Sequence, residues 1–254
     1  MKTISSVIFI LIFAITAVAA PFNSDGASAE DFLRVMRQPR ATQTWGKMSG
    51  IAEHLRRGQT KVTMPIDLNI MFTADRVLSQ VVIDHRQGYL VGQTFTGKDS
   101  GTSVIPIHEA DGKTELLADI GLRPEDLAMS FIYWDFVREL PRESISMRQC
   151  RIFLLKKNQE LVKLSVDTDY LFPLRVEWYK DEYDASSVAY RTLEATKFKE
   201  VDKLWMITRL SVSGPGWRTR IDFDKTEAGS SSEGIPADLF QKTLSPKGKN
   251  NERQ

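Results

Sequence analysis

Apolar and polar residues alternate along most of this chain, most clearly over residues 61–72. A period of two places successive side chains on opposite faces of a β-strand. The segment is therefore predicted to be a strand with one apolar face and a mainly polar reverse face, as in antiparallel sheets. Pro65 inside it suggests an edge strand or a bulge, because proline cannot donate to a sheet ladder. The apolar face consists of Val62, Met64, Ile66, Leu68, Ile70 and Phe72.

The same alternation begins near Thr42 and returns in a second series of segments later in the chain. Turn-forming residues separate these segments, for example Lys157-Asn158 and the run Ser213-Gly214-Pro215-Gly216. The pattern predicts a mainly antiparallel β protein. Further strands are predicted at residues 77–84, 89–95, 150–156, 161–167, 172–179, 188–198, 204–212 and 217–223.

The predicted helices are few and short. Ser28 is a plausible N-cap for an amphipathic helix that Pro39 ends. Residues 116–137 are predicted to be helix and loop, with a helix beginning at Pro124. Residues 237–240 are predicted to form a final helical turn. The fold class is therefore mainly β with a few short α-helices.

The N-terminus has the features of a secretory signal peptide in the expected order. Lys2 precedes an apolar run at residues 7–14, and Ala17-Val18-Ala19 offers a cleavage site. The run is too short to span about 30 Å of hydrocarbon. The mature chain is therefore expected to be soluble and periplasmic. The predicted divisions are a signal peptide at residues 1–19, a single domain at 20–243 and a disordered tail at 244–254.

Charge and reactive residues argue against several functions. The chain has 34 Lys and Arg against 33 Asp and Glu, so charge offers no case for binding nucleic acid. Cys150 is the only cysteine, which excludes an intrachain disulfide, and it opens an apolar segment as a buried residue would. The motifs HExxH, CxxC and GxSxG are absent, and His85 falls at a predicted surface turn. We therefore expect no enzyme activity, no metal and no cofactor.

A series of short motifs in the second half of the chain points to a known family. The motifs are Asp126-Leu127, Tyr133-Trp134, Cys150, Val166-Asp167, Tyr170, Pro173-Leu174 and Glu177. In order and spacing, residues 120–242 resemble the LolA-like outer-membrane lipoprotein-sorting family, whereas residues 28–119 agree in hydrophobic pattern only. The resemblance implies a curved, half-open antiparallel β-barrel (LolA/LppX-like) whose concave side is plugged by helices around an apolar cavity.

The resemblance also implies a function and partners. Its members include carriers that bind acyl chains of lipoproteins or lipids and move them between the inner and outer membranes. The implied partners are an inner-membrane exporter and an outer-membrane acceptor, with transient membrane contact by a monomer. Relatives that sense envelope stress keep a second function open, that of an envelope sensor or scaffold which transfers no cargo.

Methionine and aromatic side chains supply the candidate ligand-binding residues. They suit a cavity for flexible chains because methionine adapts its shape and aromatic rings offer large apolar areas. An ordinary packed core is the alternative for the same residues. Arg175, Arg209, Arg218 and Arg220 on the polar face would suggest an anionic head-group site if they cluster. The candidates for the cavity are Met64, Ile66, Leu68, Ile70, Phe95, Tyr133, Trp134, Trp178, Met206 and Leu210.

Overall fold

A computed structural model describes residues 22–37, 43–94, 101–108, 116–180, 182–184, 186–202 and 204–240. The predicted signal peptide and C-terminal tail lie outside these residues. The described helices are α1 (Ala29–Arg37), α2 (Leu116–Asp119), α3 (Pro124–Leu127) and the 3-10 helices Ser130–Tyr133 and Ser231–Glu233. The described strands are β1 (Thr44–Arg56), β2 (Val62–Phe72), β3 (Arg76–Ile83), β4 (Gln87–Thr94), β5 (Thr102–His108), β6 (Asp135–Ile145), β7 (Arg148–Lys157), β8 (Glu160–Asp167), β9 (Pro173–Lys180), β10 (Arg191–Val201), β11 (Leu204–Gly214) and β12 (Trp217–Ser230).

The twelve described strands form one antiparallel sheet made of two meanders. The strand order is β5-β4-β3-β2-β1-β12-β11-β10-β9-β8-β7-β6. Strands β1 to β5 are neighbours in sequence and in space, as are β6 to β12, and the pairing of β1 with β12 joins the two halves. The edge strands β5 and β6 do not pair with each other, so the described sheet stays open. The expected half-open antiparallel fold is confirmed.

A bulge at the junction of the two halves helps the sheet to curve. The register between β1 and β12 shifts between Ser49 and Gly50. A Cβ on Gly50 would lie 2.0 Å from the carbonyl oxygen of Asp222, so only glycine allows this close approach of the two backbones. Because a bulge bends the strand and increases its twist, the longest ladder of the sheet curves here.

The described part of the connection between the two edge strands lies across the concave side of the sheet. Because β5 and β6 are at opposite edges, the chain between them must cross one face. Its described part, residues 116–134, is here called the lid and contains α2, α3 and a 3-10 helix. Leu117, Leu127 and Phe131 of the lid are buried in the main core together with Phe32 and Leu33 of α1. Each such side chain contributes about 1.5–3 kcal/mol through burial, which holds the helices on this face.

The boundaries of most elements match the sequence prediction. The predicted strand at residues 61–72 is β2, and both strands of the predicted hairpin after it are present. Ser28 caps α1, since its Oγ accepts a hydrogen bond of 3.1 Å from the backbone N–H of Asp31. Residues 237–240 form a turn rather than a helix. Strand β10 begins at Arg191 instead of residue 188, and Val188 is exposed.

The two edge strands were missed by the sequence analysis. Residues 135–137 had been assigned to helix and loop, and β5 had not been predicted. Strand β6 pairs only with β7, contains Pro141 and has two register irregularities. Seven of its eleven side chains are exposed and five are charged, so it lacks the alternation that reveals a half-buried strand. In β5, Ile105 and Ile107 are exposed, so this strand also lacks a buried apolar face that alternation could reveal.

Two expectations about β2 are corrected. The strand is central rather than at an edge, and Pro65 lies where its neighbour β3 ends. The Pro65 carbonyl accepts from the N–H of Asp84 in the turn at 2.8 Å, so the missing proline N–H costs no ladder bond of β3. The polar reverse face of β2 is also not fully exposed to solvent, because Asp67 and Asn69 are buried. The C-terminal segment packs over this face, where Gln80 Nε2 donates to the carbonyl of Phe240 at 3.1 Å.

Candidate functional site

An apolar cavity of about 570 Å³ opens between the concave face of the sheet and the helices. This volume lies within the range of about 300–1,000 Å³ that is typical of small-molecule sites. Four of its lining residues are methionines, whose flexible side chains adapt to ligands of different shape. The apolar lining includes Met36, Met48, Leu68, Ile70, Phe72, Leu127, Met129, Ile132, Phe198, Leu204, Met206, Ile207, Leu210 and Phe223.

The floor of the cavity is formed by central strands of the sheet. Gly46 of β1 contributes no side chain there, and a Cβ on it would lie 2.9 Å from Met206 Cε and 3.3 Å from Ile70 Cγ2. Its partner in β12 is Ala228, another small residue of the lining. The space above Gly46 is therefore taken by the side chains of Met206 and Ile70, which pack directly on the backbone of β1. The floor of the cavity is closely packed at this point.

The lid and the C-terminus of α1 form the wall opposite the sheet. Arg37, the last residue of α1, donates from Nε to the carbonyl of Ile132 and from Nη2 to that of Trp134, both at 2.7 Å. The hydroxyl of Tyr133 donates to the Arg37 carbonyl at 3.2 Å. Burial raises the pKa of the Tyr133 hydroxyl, which therefore stays neutral. The two helical segments thus hold each other in place beside the cavity.

An aromatic and cationic rim lies at one end of the sheet, where the turns β6–β7, β8–β9 and β10–β11 come together. Tyr170 and Trp205 are 50% and 55% exposed, and their ring centroids are 6.0 Å apart. Arg148 lies 4.9 Å from the centroid of the Tyr170 ring and pairs with Asp167 at 2.9 Å. All four residues line the cavity, so the rim is continuous with the apolar interior.

The lid is anchored to the sheet by a buried ion pair. Arg191 of β10 donates from Nη1 to Asp126 Oδ1 at 2.8 Å, and its Nη2 contacts both Asp126 and the Gly121 carbonyl. Arg191 also stacks on Trp178, with its Cζ 4.6 Å from the ring centroid. A second anchor is Thr219 of β12, whose hydroxyl donates to the carbonyl of Ile120 in the lid. The same hydroxyl is hydrogen-bonded to the His54 ring of β1. Ile120, Gly121 and Asp126 of the lid are thus fixed by polar contacts in apolar surroundings.

The predicted candidates fall into three groups in the structure. Five of them line the cavity, namely Leu68, Ile70, Tyr133, Met206 and Leu210. Trp134 and Trp178 line a smaller, more polar cavity of about 270 Å³ beside the buried ion pair. Ile66 belongs to the packed core, Met64 packs against it at its periphery, and Phe95 lies outside the described residues.

Several lining residues carry no signal in the sequence that alternation could reveal. Met36 belongs to the predicted amphipathic helix α1, but its position in the sequence does not indicate that it faces a cavity. Phe223 and Ala228 belong to β12, which continues to Ser230, beyond its predicted end. Phe172 and Phe198, which contact each other with ring centroids 5.3 Å apart, add to the lining from β9–β10. Phe172, in the turn before β9, is a visible aromatic residue, but one aromatic residue in a turn does not indicate a cavity.

The four arginines considered for a head-group site lie on the outer face instead. Residues next to them in sequence, such as Leu210 and Ile221, are buried in the core, so the arginines point the other way. Three of them form ion pairs with acidic residues on neighbouring strands: Arg175 with Glu194, Arg209 with Asp222, and Arg220 with Glu53 and Asp222. None lines the cavity.

Other chemistry is sparse in the part of the chain that the structure describes. No cluster of three or more His, Cys, Asp or Glu side chains suited to a metal ion occurs there. Cys150 is fully buried, and burial raises the pKa of its thiol to about 11. None of the described helices is both long enough and apolar enough to cross a membrane.

Comparison with known proteins identifies the fold. No family model and no curated protein matches the sequence. A DUF1329 family protein from Desulfovibrio piger matches with a TM-score of 0.56 and 18% identity, over 82% of this chain and 96% of that chain. The outer membrane lipoprotein-sorting protein domain from Vibrio parahaemolyticus matches with a TM-score of 0.55 and 13% identity, over 85% and 96%.

A third similar structure is that of a LolA superfamily protein. A LolA superfamily protein from Nitrosomonas europaea matches with a TM-score of 0.50 and 15% identity, over 79% of this chain and 93% of that chain. The protein therefore has a LolA-like fold, as the motifs in its second half had indicated. At these identities the likeness establishes the fold and leaves the ligand to be argued from the cavity itself.

Proposed function

We propose that this protein is a non-catalytic carrier that binds acyl chains of lipids or lipoproteins in its apolar cavity. The observation that carries the proposal is the open, largely apolar cavity of about 570 Å³ on the concave face. An acyl chain gains about 0.8 kcal/mol for each methylene that leaves water, so such a space provides affinity without specific polar contacts. The flexible methionines of the lining suit chains of different length.

The residues around the cavity favour binding over catalysis. Among the described lining residues there is no histidine, cysteine, lysine or serine, and the one carboxylate, Asp167, is already paired with Arg148. A nucleophile next to a general base, which acyl transfer would need, has no counterpart in that lining. The carrier would act by reversible sequestration, taking its cargo from one membrane and releasing it at another.

The fold supports a periplasmic place for this carrier. The N-terminal segment has the pattern of a signal peptide, and one similar structure is described as a lipoprotein-sorting domain. Transfer between an inner-membrane exporter and an outer-membrane acceptor would need brief contact with each. The exposed rim residues Tyr170 and Trp205 are suited to the passage of an apolar chain between solvent and cavity.

Native mass spectrometry of protein purified from periplasm without detergent tests the proposal. We expect a discrete added mass that organic extraction recovers as phospholipid or acylated peptide. In a series of alkanols, each added methylene should tighten binding about fourfold until the cavity is full. An apo mass together with no uptake of any fluorescent fatty acid or alkanol would refute the carrier and favour the envelope sensor or scaffold.

A matched pair of variants locates the binding. Ala228→Phe should place a ring inside the cavity and weaken uptake at least about tenfold, because the methylenes it displaces lose their burial. Glu227→Phe adds the same ring to the adjacent, exposed position of β12, so uptake should not change. Equal uptake by both variants would show that chains bind elsewhere.

A further inference from the structure

The cavity lining carries an excess of one positive charge. Three charged side chains line it, Arg37, Arg148 and Asp167, and every other lining residue is uncharged. Two arginines against one carboxylate leave a formal charge of +1 in surroundings that are otherwise apolar. An uncompensated charge in such surroundings is unfavourable unless a counter-charge is supplied.

The carboxylate is fully engaged away from Arg37. Asp167 is buried and pairs with Arg148 at 2.9 Å. Its other oxygen accepts from the backbone N–H groups of Asp169 and Tyr170, each at 2.8 Å. Arg148 is therefore neutralised on the rim, and the excess charge belongs to Arg37.

Arg37 has hydrogen bonds but no ion pair. Its Nε and Nη2 donate to two uncharged carbonyls of the lid, those of Ile132 and Trp134. It forms no ion pair with any carboxylate in the described part of the chain, and its Nη1 donates to none of those residues. Asp135, at the start of β6, stabilises the charge only through space, while burial lowers the pKa of the guanidinium.

We propose that Arg37 binds the acidic head group of the cargo, a carboxylate or a phosphate, while the acyl chain fills the apolar cavity. The guanidinium is held by the two carbonyls, and Nη1, which donates to none of the described residues, can donate to an anionic oxygen. This inference rests on the proposed carrier function and narrows its cargo to acidic amphiphiles. A neutral lipid would leave Arg37 without a counter-charge in the loaded protein.

The test compares ligands that share one chain and differ in head group. Hexadecanoate, hexadecyl phosphate and hexadecanol are titrated against a neutral fluorescent probe, N-phenyl-1-naphthylamine, bound in the cavity. We expect the two anions to bind at least about tenfold more tightly than the alcohol, as a hydrogen bond to a charged group provides. In Arg37→Gln this preference should vanish: the ratio of the anion affinities to the hexadecanol affinity should fall to about one, even where the loss of the two lid hydrogen bonds weakens all three ligands equally.

Two further variants separate the head-group role from a structural one. Arg34→Gln on the same helix is the matched control, since Arg34 is exposed, pairs with Asp31 and does not line the cavity. It should keep the full preference. Arg37→Lys retains the charge and should keep part of the preference; it also replaces Arg37→Gln if that variant does not fold.

The other possible outcomes distinguish failure of the head-group inference from failure of the carrier function. Equal binding of all three ligands by the unmodified protein, or an unchanged preference in Arg37→Gln, overturns the head-group inference and leaves the carrier function standing. Failure of all three ligands to bind overturns both. Inorganic phosphate is then added at the same concentration as these ligands. If it weakens the binding of hexadecanoate and hexadecyl phosphate but not that of hexadecanol, the site binds free anions, and the assignment to a lipid head group is overturned.

Discussion

The buried ion pair between Asp126 and Arg191 should be the strongest single attachment between the lid and the sheet. The two side chains are 3% and 5% exposed, so neither charge is solvated when its partner is lost. Asp126 Oδ2 also accepts from the backbone N–H of Arg123 at 2.6 Å, which joins the start of α3 to the same pair. Asp126→Asn removes the negative charge and keeps the size of the side chain.

The expected cost follows from the charge that remains. Asp126→Asn leaves a buried guanidinium without its partner, which destabilises a folded protein by about 3–5 kcal/mol. For a domain of this size the melting temperature changes by about 2–4 °C per kcal/mol, so we expect a fall of roughly 6–20 °C. Replacing both residues, with Asp126→Leu and Arg191→Met together, should cost far less than either single change because no lone charge stays buried.

Urea unfolding measures the differences in the free energy of unfolding and thermal melts measure the fall in melting temperature, each followed by tryptophan fluorescence and far-UV circular dichroism. The control is Asp25→Asn, which breaks the exposed pair of Asp25 with Arg142 and should barely move the midpoint. Hydrogen exchange of the lid amides shows whether the lid detaches before the sheet unfolds. The reasoning is refuted if Asp126→Asn is no worse than Asp25→Asn, or if the double variant loses as much as the two single variants combined.

Three other outcomes are expected. Burial lowers the pKa of His54 below its ordinary value of about 6.5, so unfolding takes up a proton and the free energy of unfolding falls as the pH drops below that value. His54→Gln should remove this slope from urea midpoints measured above the range in which carboxylates titrate. Arg151→Met should cost on the order of 3 kcal/mol and speed proteolysis near Ala27, because Arg151 holds the Ala27 carbonyl and pairs with Glu139. Cys150 should react with iodoacetamide only in urea, and rapid labelling of the folded protein would contradict its burial.

The local pattern of residues was enough to predict most of the secondary structure. Alternation is a property of adjacent positions, so β2 and the strands of the second series could be located without knowing their neighbours. The N-cap at Ser28 is equally local. The pattern failed where a strand has only one partner, as in β5 and β6, because exposed edge strands need not alternate. The pattern also failed at Pro65. A proline is accepted in this central strand because the adjacent strand β3 ends beside it, and the sequence does not show where β3 ends relative to β2.

By itself the sequence determined the class of fold and, through its motifs, the resemblance to LolA-like proteins. It indicated apolar faces but not which of their side chains meet empty space. Only the tertiary structure decided that Leu68 and Met206 line a cavity while Trp178 packs beside a buried ion pair. A cavity is a property of packing between distant segments, and the lining of this one extends from Met36 to Ala228, so no local pattern can reveal it.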